Sequence, residues 1–287
     1  MAVPETEMRP GVEAEINYVR NPPAPGDDTL RFVTEAEEQN TMVTLPGRLL
    51  WITNGRGLTT DLDREGFVFA RHVSAVADFH QIQEDSAVDE QYNDETAAFL
   101  EELTGAARVI MQGGGKKRYG EPATDRLAAL SNAKPARYPH ADNTDMSASE
   151  LAQLMDTFID DLDLRRYSRY SMLNVWRTFS PPPQDFPLAV CDAQSIAPGD
   201  EVTVTAITEE RHAGEIIHDT TGYIHNPEHR WYYFPDMTID EVIVFKSHDS
   251  DPTRARRVAH TAFTDPACPP GVPTRASVEM RALALFE

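Results

Sequence analysis

The chain has 287 residues, 40% of them hydrophobic and 25% charged, with a formal net charge of −21 and a pI near 4.7. That length and composition suit a globular protein able to bury a sizeable core, while so acidic a surface repels phosphate backbones and anionic membranes and argues against nucleic-acid or membrane partners. Two cysteines, Cys191 and Cys268, with no Cys-x-x-Cys, exclude a zinc cage or disulfide framework and fit a reducing, cytoplasmic compartment.

The segment Met1 to Glu7 lacks a basic and then apolar signal pattern, and no apolar run approaches a membrane span, so a soluble intracellular protein is expected. Residues 1–45 are rich in Pro, Glu and Asp; the stretch Asn21 to Asp28 reads as an irregular arm laid over the domain. Arg48 to Thr53 and Gly66 to Ala70 are predicted as short strands around a polar turn at Asn54-Gly55. Apolar residues at helical spacing (Ala97, Leu100, Leu103, Ala106, Val109) predict a helix from about Asp94 to Met111. Gln112 to Lys117 is a glycine-rich turn that lacks the first Gly and the Ser/Thr of a phosphate loop, and is taken as a flexible helix-ending loop. A second helix is expected over Ala123 to Ser131.

Ser147 to Glu150 reads as a capping box opening a helix through Leu151, Leu154, Phe158 and Leu162, to about Asp163. Beyond Tyr170 the pattern turns to strands: Ser171 to Phe179, Phe186 to Val190, Glu201 to Ile207, Arg230 to Phe234, Glu241 to Lys246, Ala259 to Phe263 and Ala276 to Phe286. Turn signals such as Pro198-Gly199-Asp200 and Pro269-Pro270-Gly271 separate them. Many short strands so spaced favour a sandwich or barrel-like double sheet with the earlier helices on one outer face.

Chemistry concentrates at Arg137 to Asp142 and at Ala259 to Phe263. On an extended backbone His140 and Asp142 point the same way and can clasp one cation. A distant His completes a two-His-one-carboxylate facial triad, the arrangement suited to non-haem Fe(II) oxygenases. On the last strand Arg275, Ser277, Glu279 and Arg281 share one face. If that face looks inward, a guanidinium there can grip the far carboxylate of a dicarboxylic co-substrate, with Ser277 adding a hydroxyl; alternatively Glu279 and Arg281 simply pair. Arg177, charged within an apolar strand, needs an anionic partner and is a further candidate contact for substrate or co-substrate, preferred over Asn174 on the opposite face. His225 and His229, separated by Pro227, read as surface or pocket-rim residues.

The ordered runs Asn174 to Arg177, Pro187 to Ala193, His229 to Tyr233, Asp240 to Lys246, Asp249-Ser250, His260 to Pro266 and Arg275 to Leu283 resemble the hydroxylase/desaturase family that includes gibberellin desaturase and cephalosporin 7α-hydroxylase-type proteins. The likeness covers about residues 135–287 and departs from the family pattern at Ser247-His248, which puts a role for His248 in doubt. The resemblance implies a mainly β fold with flanking helices, a double-stranded β-helix (jelly roll, cupin-like). With no internal repeat and no linker long enough to split the chain, a single oxygenase-like domain over 1–287 is expected: an extended arm over 1–45, helical and strand support over 46–135 and the jelly-roll core over 136–287. It further implies iron held by His140, Asp142 and His260, 2-oxoglutarate and O2 as co-substrates, and Arg275 as anchor of the distal carboxylate, with Arg281 as its rival. The expected activity is hydroxylation, desaturation or cyclisation at an unactivated C–H position of a small molecule in specialised metabolism, with a homodimer left open. A cupin-type metalloenzyme without 2-oxoglutarate, or a non-catalytic jelly-roll binding protein, is the alternative.

Overall fold

The computed structural model describes residues 10–20, 30–33, 46–120, 135–210 and 214–287. Among them the strands of the first half are β1 Gly11–Ile16, β2 Leu30–Val33, β3 Arg48–Asn54, β4 Phe67–Arg71, β5 Arg108–Met111, β6 Lys116–Tyr119 and β7 His140–Ala141. Those of the second half are β8 Arg169–Thr178, β9 Leu188–Cys191, β10 Glu201–Glu210, β11 Gly214–Tyr223, β12 Trp231–Tyr233, β13 Glu241–Asp249, β14 His260–Ala262 and β15 Ala276–Phe286. Two helices accompany them, α1 Ser86–Thr104 and α2 Asp145–Phe158.

The strands form two sheets. One has the order β1-β3-β12-β9-β14-β7-β11-β10-β2; the other runs β4-β13-β8-β15-β5, with β6 also paired to β15. The pair makes a double-stranded β-helix, or jelly roll, as the resemblance implied. Between the sheets Phe67, Trp176, Ile243 and Phe245 from one meet Leu188 and Val190 from the other in a buried cluster. Alternation turns Leu173 and Val175 of β8, with Val278, Met280 and Ala282 of β15, to the opposite side, where they pack on Tyr92 and Leu100 of α1. The face of β15 that carries Ser277, Glu279 and Arg281 therefore looks between the sheets.

Several expectations are corrected. Within the extended arm expected over 1–45, and upstream of its irregular stretch, Gly11–Ile16 is a strand with Val12, Ala14 and Ile16 buried and Glu13 and Glu15 exposed, paired residue by residue with β3. The first helix begins earlier than Asp94, on the Asp85 cap, and stops at Gly105, whose left-handed φ of 69° ends it. Val109 thus belongs to β5, opposite Ala284 of β15, with its N–H donated to Glu101 Oε1 at 3.1 Å. The glycine turn leads straight into β6, and a Cβ on Gly115 would meet the Val278 side chain at 2.6 Å, so close packing replaces the flexible loop. The capping box of α2 is formed by Thr144 and Ser147, three residues upstream of the expected pair, and the helix ends at Phe158. β11 was not expected at all; it pairs with β10 over ten residues. The helix expected over 123–131 and the stretch 21–28 lie outside the described residues.

Candidate metal centre

The short strand β7 sits between β14 and β11, and the register sets His140 directly opposite His260. Their rings lie 4.3 Å apart, centroid to centroid. With Asp142, two residues on and on the same face, they bring three ligand atoms within 4.8 Å of one another. The imidazoles are oriented from behind. His140 Nδ1 is 2.9 Å from the Tyr138 carbonyl and His260 Nδ1 is 3.2 Å from that of Val258. A carbonyl only accepts, so each Nδ1 carries the proton and each Nε2 presents a lone pair.

The carboxylate is held as firmly. Asn174 Nδ2 donates to Asp142 Oδ2 at 2.6 Å and Arg281 Nη2 donates to Oδ1 at 2.8 Å, leaving each oxygen a further lone pair. Burial works against the charge of Asp142, but Arg281 and then the two imidazoles outweigh it and hold the carboxyl well below the usual carboxylate range. Burial, reinforced by His260, pushes His140 down to about 3, so it is neutral and able to ligate at physiological pH. Phe245 closes the back of His260, its ring 4.6 Å away.

A cleft of about 820 Å³ opens beside these groups, between Tyr138 and His140 of one sheet and Arg281 of the other, with α2 along its mouth. Arg281 also donates to Glu279 Oε1 at 3.0 Å, so it serves two carboxylates at once. Arg275 lies deeper, 1% exposed, its guanidinium 5.6 Å above the Trp176 ring. Its Nε and Nη2 have no hydrogen-bond partner, and burial pulls its pKa down to about 10, against the pull of Asp185. Ser277 is on the same inward face, its hydroxyl 3.4 Å from the Arg118 carbonyl.

Arg177 does not join this group. It projects from the other face of β8, where Nε donates to Tyr92 at 2.8 Å, Nη2 meets His72 Nδ1 at 2.7 Å and Nη1 donates to the Ile239 carbonyl. Its contacts there are uncharged groups, Tyr92 of α1, His72 and the Ile239 backbone, in place of the anion that its charge was expected to need, and the polar contact to the centre from β8 is instead Asn174. His229 is likewise no rim residue. Its side chain is fully buried; Nδ1 accepts from Tyr18 at 2.9 Å and Nε2 donates to Asp200 at 3.1 Å, while Trp231 donates to Tyr18. The polar side-chain atoms of Tyr18, His229 and Trp231 are thus all engaged within that second cluster.

The donor set, two imidazoles and one carboxylate converging from one side, fits an octahedral Fe(II) with adjacent positions open. The unpartnered nitrogens of Arg275 fit the carboxylate of a co-substrate. Sequence reasoning ranked Asn174 below Arg177, because the strand alone does not tell which face of β8 looks inward, and it missed His218 and Thr220, which line the cleft from β11.

Comparison with known proteins agrees with this chemistry. The family described as "Oxidoreductase/YMDC permease-like domain" matches residues 16–285; among the described residues no helix is long and apolar enough to cross a membrane. The chain is 29% identical over 294 residues to the hydroxylase/desaturase efuI of Hormonema carpetanum, covering 97% of this chain and 96% of that one. It is 30% identical over 227 residues to the Fe(II)/2-oxoglutarate-dependent dioxygenase nvfI of Aspergillus novofumigatus, covering 78% and 77% respectively. Among solved structures it resembles the iron and alpha-ketoglutarate-dependent endoperoxidase NvfI, with TM-score 0.81, 27% identity and coverage of 97% and 98%.

Proposed function

The chain belongs to the hydroxylase/desaturase family of Fe(II)/2-oxoglutarate-dependent dioxygenases, and on that premise we propose that His140, Asp142 and His260 hold the iron while Arg275 receives the distal carboxylate of 2-oxoglutarate. When bound, iron and 2-oxoglutarate supply the oxidising power, O2 being consumed and 2-oxoglutarate leaving as succinate and CO2 as a substrate C–H bond is broken. The product is hydroxylated, desaturated or cyclised, and the substrate is a small molecule of specialised metabolism.

The protein's own residues position and shield. His140 and His260 turn Nε2 inward because their Nδ1 protons are committed to carbonyls. Arg281 and Asn174 keep the Asp142 carboxylate charged and fixed, so the ligand set is ready before metal arrives. Arg275 offers two nitrogens over Trp176, two residues along β8 from Asn174, or about 7 Å. Arg281, already engaged by Asp142 and Glu279, is the weaker claimant. Trp176, Phe245 and Leu188 keep water from the space between. The two cysteines are free, which supports a cytoplasmic setting, and the reading treats 1–287 as one catalytic unit.

The observation that carries this reading is the convergence of three ligand atoms within 4.8 Å at the foot of an open cleft. It is tested by titrating Fe(II)-loaded protein with 2-oxoglutarate without oxygen. A visible metal-to-ligand charge-transfer band is expected; iron-replete protein that shows none would refute the assignment and favour a metalloenzyme that does not use 2-oxoglutarate.

A further inference from the structure

The sheet opposite the metal ligands meets the site in rows. Across β13, β8 and β15 the register sets Phe245, Asn174 and Arg281 side by side, and residues so paired share a face. This row serves the metal ligands. The Phe245 ring is 4.6 Å from that of His260, while Asn174 and Arg281 each donate to one oxygen of Asp142. The next inward row is Ile243, Trp176 and Glu279, with Lys116 of β6 opposite Glu279. It serves the other half of the site, because the Arg275 guanidinium lies over the Trp176 ring.

Glu279 joins the two rows. The register places it beside Trp176, yet its Oε1 accepts from Arg281 Nε at 3.0 Å and lies 2.9 Å from Nη2. That same Nη2 donates to Asp142 Oδ1 at 2.8 Å. A guanidinium is a planar, rigid fork, so a carboxylate that grips its Nε edge also fixes where Nη2 points. The side chains of Glu279 and Arg281 are only 15% and 26% exposed, which spares the pair much of the screening that weakens surface ion pairs. Charge thus alternates from Glu279 through Arg281 and Asp142 to the point where the three ligands converge. Glu279 also separates the tasks of two arginines on its own face. It stands between them in the strand and bonds Arg281, whereas Nε and Nη2 of Arg275 have no partner.

We propose that Glu279 is a positioning residue that acts on the metal through Arg281. It holds the guanidinium where Asp142 keeps its ligating orientation, and by occupying Arg281 it leaves Arg275 to the co-substrate. This rests on the metal assignment of the oxygenase reading and deepens it. Co(II), whose visible absorption reports its ligands, is titrated into the metal-free protein, with His140→Ala as the blank. Glu279→Gln keeps the shape and removes the charge. It should weaken Co(II) binding about tenfold, the lower end of what residues behind a metal ligand contribute. It should also shift the visible bands while leaving the circular dichroism and melting temperature of the metal-free protein unchanged. In an Arg281→Met background the same Glu279→Gln step should change neither affinity nor bands. A Glu279→Gln protein with the affinity and bands of the unaltered chain overturns the proposal. So does an effect that persists in the Arg281→Met background, since Glu279 would then act by its charge alone. Failure of the metal assignment looks different: the unaltered protein and the His140→Ala blank would give the same Co(II) spectrum.

Discussion

Two buried arginines on adjacent strands, Arg177 of β8 and Arg275 at the foot of β15, are 0% and 1% exposed and look to opposite faces of one sheet. On the outer face Arg177 is fully employed, tied to Tyr92, His72 and Ile239 and flanked by the rings of Phe79 and Tyr92. On the inner face Arg275 keeps two nitrogens without a partner beside Trp176. A buried charge is costly unless paired. Where the pairing is internal the residue is architecture, and where donors are left over they stand open to an anion from outside. The two histidine clusters differ in the same way: His229 sits in a closed chain from Trp231 to Asp200, whereas His140 and His260 aim their Nε2 atoms at a shared point.

That contrast can be broken at four places. The largest effect is expected at the metal centre: His140→Ala or His260→Ala should abolish turnover and the charge-transfer band while circular dichroism stays unchanged, because the ligands are not what seats their strands. Next, Arg275→Met should weaken 2-oxoglutarate binding by about a hundredfold, from lost charge-assisted hydrogen bonds, without lowering the melting temperature of the apo-protein. Should Arg281→Ala produce that loss and Arg275→Met not, the anchor has been assigned to the wrong arginine. Arg177→Met should do the reverse, costing about 3 kcal/mol of stability through the unpaired groups it leaves behind, with 2-oxoglutarate affinity intact. Calorimetry beside the titration separates the two.

The smallest effect is in pH. In the unfolded chain His72 takes up a proton near 6.5, whereas burial first and Arg177 second push it down to about 4 in the fold. Between those values the unfolded chain binds the extra proton, so stability is complete above about 6.5 and is lost as pH falls toward 4. His248, lowered to about 4 by burial and then by Arg257, acts in the same direction. The melting temperature should fall over that range, and His72→Gln should flatten the slope; an unchanged slope would exclude His72 as a contributor.

Much of this was readable from the residues because local alternation carries it. The shared face of His140 and Asp142, and that of Arg275, Ser277, Glu279 and Arg281, follows from the two-residue period of a strand, and the family likeness supplied His260. Composition misled where it drowned alternation: Gly11–Ile16 reads hydrophobic in and charged out, yet it lies in a Pro- and Glu-rich stretch. Gly214–Tyr223 was missed because a partly exposed strand with Thr, Asp and His has little apolar signal. The choice of Arg177 over Asn174 failed for a different reason. Which face of β8 looks between the sheets is decided by α1 packing on the other, a tertiary fact that no strand contains.

The position of β7 has a consequence for how the protein is made. It is two residues long, and its neighbours in the sheet are β11 and β14, whose paired residues stand eighty or more and one hundred and twenty residues downstream. Connections of that sequence separation close late and slow folding. Until they close, His260 is not beside His140, so the three side chains converge only when the long-range pairing of this sheet is complete.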